Sequence, residues 1–125
     1  MANELEAMFN QVVNTFKKEV NEALEEACDE VAHEAEEKLH ETSPARSGDY
    51  AKGWTVERIP GRSTPAYEVK NATHYRLTHL LENGHDIVVN GKKYGRVKPH
   101  KHIKQVERWC QEELPKRLEE KLNDN

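Results

Sequence analysis

The first 43 residues of this 125-residue chain contain neither glycine nor proline; all six glycines and all five prolines come later. Backbone chemistry therefore offers nothing in that stretch to interrupt a helix. Cysteine is scarce as well. Cys28 and Cys110 cannot make a disulfide scaffold, and both read as reduced thiols of a cytosolic protein. The longest aliphatic run is Ile87-Val88-Val89, whereas a membrane span needs about 20 apolar residues, so no membrane role is expected. No apolar stretch near Met1 resembles a signal peptide, and secretion is not expected. With two Trp, four Tyr and two Phe, and 35% hydrophobic residues in all, the core is thin. A thin core invites burial against a partner subunit.

What is present is unevenly distributed. Residues 1–42 hold 12 acidic and 3 basic side chains, residues 43–104 hold 5 and 12, and residues 105–125 hold 6 and 4. There is no internal repeat, and one domain over residues 1–125 is expected, divided at 42 and 102. Leu5, Phe9, Val12, Phe16, Val20, Leu24, Ala27, Val31, Ala35 and Leu39 step by three or four, which predicts one amphipathic helix over 1–42. About 38 residues of it rise about 57 Å, while a compact chain of this size is about 36 Å across. One subunit cannot cover that stripe, and part of it is expected to meet a neighbour. Leu24 and Val31 are the positions where Asp substitutions would test that contact.

Ser43-Pro44 ends the helix, because a residue before proline is driven from the α region. Tyr50–Ile59 reads as a strand with Tyr50, Trp54 and Val56 on one side, and Tyr67–Asn71 as a second. Tyr75–Glu82 fits a short helix or a strand entering a turn at Asn83-Gly84. Asn90-Gly91, between Val88-Val89 and Lys92-Lys93-Tyr94, predicts a two-residue type I′ hairpin. A C-terminal helix over 103–122 turns Val106, Trp109, Cys110, Leu114, Leu118 and Leu122 inward, with a kink expected at Pro115. The fold class is α+β: a long N-terminal helix, a small antiparallel sheet with hairpins, and a C-terminal helix packed on the sheet.

Chemistry-bearing residues are sparse. His100-x-His102 on extended backbone, completed by His79 and His85, is the one arrangement that could ligate zinc. Neither Cys ligands nor a His-Glu-x-x-His helix accompanies it, so no metal or other cofactor is expected. Ser43, Ser47 and Ser63 lack a nucleophile elbow, and no phosphate-cradling glycine loop exists. No enzyme activity is expected. The basic middle, with Arg46, Arg58, Arg62, Lys92, Lys93, Arg96, Lys98, Lys101 and Lys104, could meet phosphates or the acidic helix of an identical subunit. A small nucleic-acid-binding module is the alternative reading that this segment supports.

In order along the chain, several short blocks resemble one family. Ser43-Pro44-Ala45-Arg46-Ser47-Gly48-Asp49-Tyr50, Trp54 and Tyr67-Glu68-Val69-Lys70-Asn71 come first. Tyr75-Arg76-Leu77-Thr78-His79-Leu80-Leu81-Glu82-Asn83-Gly84-His85 follows, then Gly95-Arg96-Val97 and Pro99-His100. The pattern is similar to tailed-bacteriophage neck proteins, also termed minor capsid, tail-completion or head–tail connector components. Lys104-Gln105 departs from the proline and alanine common there. The resemblance implies a structural virion protein in the neck, assembled in the host cytoplasm. It implies a homo-hexameric ring between the head-closure or connector protein and the tail terminator, with double-stranded DNA passing through. It also gives structural or interface roles to Pro44, Arg46, Gly48, Tyr50, Trp54, Tyr75, His79, Leu80, Glu82, Gly84, His85, Pro99 and His100. Arg62, Lys92, Lys93, Arg96, Lys98 and Lys101 become candidates for contact with DNA or an adjacent ring.

Overall fold

The computed structural model describes residues 2–44 and 48–124. A helix α1 spans Ala2–Thr42 and is followed by a helical turn α2, Asp49–Lys52. Strands β1 (Trp54–Arg58) and β2 (Tyr67–Asn71) form one antiparallel ribbon. Helix α3 (Leu77–Asn83) leads to a second ribbon of β3 (His85–Val89) and β4 (Lys92–Val97), and α4 covers Ile103–Asn123. This is the expected α+β class, with the strands divided between two separate two-stranded sheets. Tyr50 is a correction: it lies in α2, not in a strand. Gly48, at φ 85°, starts that turn in the left-handed region, and Gly53 N–H closes it on the Tyr50 carbonyl at 3.1 Å.

The remaining elements follow their local chemistry. The Ser43 N–H makes the last α-helical bond, to Leu39 O at 3.0 Å, directly before Pro44. Asn90 and Gly91 take φ of 53° and 76°, the paired positive angles of a type I′ turn. The Tyr75–Glu82 ambiguity resolves as helix. Helix α4 continues through Pro115, which sits on the exposed side beside Gln111. Water can take up the Gln111 carbonyl that Pro115 leaves without an N–H partner.

The core lies along the second half of α1. Ala23, Ala27, Val31, Ala32, Ala35 and Leu39 are buried, and the small alanines let α4 approach closely. Val106 of α4 is buried there, with Trp109, Cys110, Leu114 and Leu118 half-buried; Leu122 is exposed. Charged pairs flank the seam. Arg117 reaches Glu30, Glu34 and Glu113, Lys121 reaches Glu26 and Glu30, and Lys38 Nζ lies 4.5 Å above the Trp109 ring. Along the same half of α1, Arg58 of β1 donates to both Glu25 oxygens at 2.6 and 2.9 Å, and the Tyr67 hydroxyl donates to Glu25 at 2.6 Å. Val31 is therefore interior to the subunit and not available to a neighbour, whereas Leu24 is half-buried.

Candidate functional site

A buried polar junction fixes how the elements meet. The Glu82 carboxylate, on the last turn of α3, accepts the backbone N–H groups of His102, Ile103 and Lys104 at 2.8, 2.9 and 3.0 Å. It thus caps α4 from outside the helix, satisfying donors that a helix start leaves orphaned. Burial pushes its pKa up, but the three N–H groups outweigh that and hold it below the usual carboxylate range. His102 is fully buried. Its Nδ1 faces the His100 carbonyl at 2.7 Å, which can only accept, so Nδ1 carries the proton. Nε2 then accepts from the Tyr50 hydroxyl at 2.8 Å. Burial, with the Glu82 charge adding to it, pushes the Tyr50 hydroxyl up to about 12.

The junction extends outward in layers. The Tyr50 and Trp54 rings meet edge-on with centroids 5.7 Å apart, and the Trp54 indole N–H donates to Ser43 Oγ at 2.7 Å. Asn71 donates to Tyr50 O at 2.7 Å and accepts from His74 N at 2.8 Å. A Cβ on Gly53 would lie 2.1 Å from Thr73 Oγ1 and 2.6 Å from Asn71 Oδ1. His100 N–H donates to Leu81 O at 2.7 Å, and its ring Nε2 donates to Thr42 O at 3.1 Å. Gly84, at φ 72°, lets the chain leave α3; a Cβ there would stand 2.4 Å from Val97 O and 3.0 Å from Pro99 N.

Of the residues singled out in the sequence, Gly48, Tyr50, Trp54, Glu82, Gly84, Pro99 and His100 thus come together at or beside this junction. Pro44 is half-buried at the end of α1, and Arg46 lies outside the described residues. Tyr75, His79 and Leu80 are exposed around α3. His85 opens β3, and its buried Nδ1 has no hydrogen-bonding partner among the described residues. The four histidines considered for zinc do not converge. His102 uses both ring nitrogens, and among the described residues no group of three or more His, Cys, Asp or Glu could hold a metal ion. Sequence reading missed Ser43, Asn71 and His102 as hubs, and Glu25 and Arg117 as pins between elements. For Arg117 a signal existed: Glu113 lies four residues before it on one helix face.

The basic candidates spread over two places. Arg62 lines a shallow cleft beside α1 together with Lys17, Lys18, Glu22 and Glu25. Lys92, Lys93, Arg96, Lys98 and Lys101 surround the second ribbon; Arg96 and Lys93 approach Asp86, and Lys101 Nζ donates to Asn83 Oδ1 at 3.2 Å. Burial pushes the Cys28 and Cys110 thiols up, away from the reactive thiolate.

Among the described residues, two apolar stretches stand out as bare. From Glu4 to Glu19 every side chain of α1 is exposed, including Leu5 (57%), Phe9 (59%), Val12 (62%) and Phe16 (65%). On the second ribbon Ile87, Val88, Val89 and Tyr94 are exposed at 41–64%. No helix among the described residues is long and apolar enough to cross a membrane.

The chain belongs to the family described as "Bacteriophage HK97-gp10, putative tail-component", whose model matches residues 3–84. It is accordingly a structural tail component of a bacteriophage virion. The match runs from α1 to Gly84, so Gly95-Arg96-Val97 and Pro99-His100 lie beyond it. No curated protein and no solved structure matches the chain.

Proposed function

We propose that this protein is a non-enzymatic neck component that forms a closed homo-oligomeric ring, of six-fold type, between the head connector and the tail. The observation that carries this reading is the bare half of α1. Six large apolar side chains, Leu5, Met8, Phe9, Val12, Val13 and Phe16, stand exposed in succession, a contiguous patch larger than isolated subunits ordinarily leave open. The adjacent head-closure and tail-terminator proteins would sit above and below, and DNA would pass through the opening. The exposed basic side chains around the second ribbon and Arg62 support contact with DNA phosphates or with those rings. Native mass spectrometry over a concentration series tests the reading. A closed oligomer, alone or on the isolated connector, is expected; a monomer under both conditions would overturn it. DNA affinity that falls steeply with salt, shown by a monomer, would favour the nucleic-acid-binding alternative instead.

A further inference from the structure

Resting on that ring reading, we propose that the apolar face of the β3–β4 ribbon of one copy seats on the bare Leu5–Phe16 stripe of α1 in the next copy. Residues paired across an antiparallel ribbon share a face, as do alternate residues along each strand. The pairs His85–Val97, Ile87–Gly95 and Val89–Lys92 define one face, and Asp86–Arg96 and Val88–Lys93 the other. A register shift between Ile87 and Val88 brings Tyr94 to the first face, where Lys92 Nζ lies 5.5 Å from its ring. Ile87, Val89, Tyr94 and Val97 thus make one apolar side, 37–64% exposed. The opposite side carries Val88 but is otherwise polar and internally paired, Lys93 and Arg96 both reaching Asp86. An isolated two-stranded ribbon is marginally stable in water, so this apolar side calls for a cover.

Size and charge fit the stripe. Leu5 to Phe16 covers about 17 Å of helix, and a five-residue strand such as β3 spans about 16 Å. The only charged side chains from residue 4 to residue 16 are Glu4 and Glu6, whereas Lys92 lies on the ribbon's apolar side beside Tyr94, and Lys98 and Lys101 follow β4. A helix–helix pair of two identical stripes would close as a dimer and leave both ribbons bare. A stripe-to-ribbon contact covers both surfaces of every copy and is head-to-tail, the kind of contact that closes rings. It also leaves Lys93 and Arg96 facing away from the contact.

The test mixes two full-length variants, Phe9→Cys and Tyr94→Cys, under mild oxidation, with native mass spectrometry on the same samples. A disulfide-linked peptide pair joining positions 9 and 94 is expected. A 9–9 link in the Phe9→Cys sample would show helix-to-helix pairing and overturn the proposal. A closed oligomer without the 9–94 link would overturn this docking while sparing the ring. Neither oligomer nor link would remove both. Independently, Val12→Asp and Tyr94→Asp should each weaken self-association roughly thirtyfold with unchanged circular dichroism. Val88→Asp, on the other face, should leave association unchanged; equal weakening by Val88→Asp would also overturn the proposal.

Discussion

The two halves of α1 carry the same three-and-four spacing of apolar residues, yet they meet different surroundings. From residue 23 onward the stripe is narrow and alanine-rich, and α4 and the first ribbon close over it, with Val31, Ala35 and Leu39 all under 5% exposed. From residue 5 to 16 it is bulky, with Phe9 and Phe16 at 59% and 65% exposure. Small residues permit a helix to approach closely within a subunit, while large protruding ones suit insertion into another surface. The ribbons repeat the contrast. The first is pinned to α1 through Arg58, Tyr67 and Glu25, and the second packs densely only against itself. Periodicity reports that a face will be buried; the size of its side chains distinguishes what buries it.

Placing one charge in each half is the sharpest way to break that contrast. Val31→Asp puts an unpaired carboxylate into a 4% exposed position, and it should cost about 4 kcal/mol or more, enough to unfold a marginal domain. Val12→Asp, at 62% exposure, should change subunit stability by no more than about 0.5 kcal/mol while weakening oligomers. Urea denaturation of both variants reads the difference. Similar losses of stability in the two would erase the distinction between the halves.

Next in size are the joints that hold the second ribbon against the core half. Glu82→Ala removes the acceptor of three N–H groups at the start of α4 and should cost about 2–4 kcal/mol. Glu82→Gln, which keeps one oxygen acceptor, should lose about 1 kcal/mol. Because the native carboxyl sits below its ordinary value, its contribution is complete above the unfolded pKa and declines as pH falls. Gly84→Val would force a side chain at φ 72° against Val97 O, costing about 2–3 kcal/mol and displacing the ribbon. If ring assembly survived Gly84→Val with unaltered stability, neither the strained exit from α3 nor the placement of the ribbon would matter.

Much of this was legible in the sequence, and the misses share a cause. The absence of breakers set the extent of α1, Asn90-Gly91 announced its turn, and the family resemblance gave Glu82 and Gly84 structural or interface roles. Tyr50 misled because it lies four positions before Trp54, a spacing that serves two strand repeats and about one helical turn alike. That the strands form two ribbons was not readable, since no local residue states whether hairpins pair with each other. Leu24 and Val31 looked like part of an outward face because a continuous stripe does not mark where the subunit's own cover ends. His102 was weighed as a ligand, but its role depends on Tyr50, which arrives from 52 residues away.

The smallest expected effect concerns the pin that distinguishes the held ribbon from the free one. Hydrogen bonds from Arg58 and Tyr67 hold the Glu25 carboxyl at about 2, below its ordinary 4.5. In the window between those values the unfolded chain binds the proton more readily, so acid weakens the folded arrangement. The pin contributes fully above about pH 4.5 and is lost as pH falls through about 2. The pair is solvent-exposed, which makes the effect modest and screened by salt. Hydrogen exchange of β1–β2 amides should therefore accelerate slightly between about pH 5 and pH 3, after correction for intrinsic rates, and Glu25→Gln should abolish that extra acceleration. The β3–β4 amides, with no such pin, should show no comparable change. Matching acceleration in both ribbons would mean that acid loosens the whole subunit and that Glu25 does not set them apart.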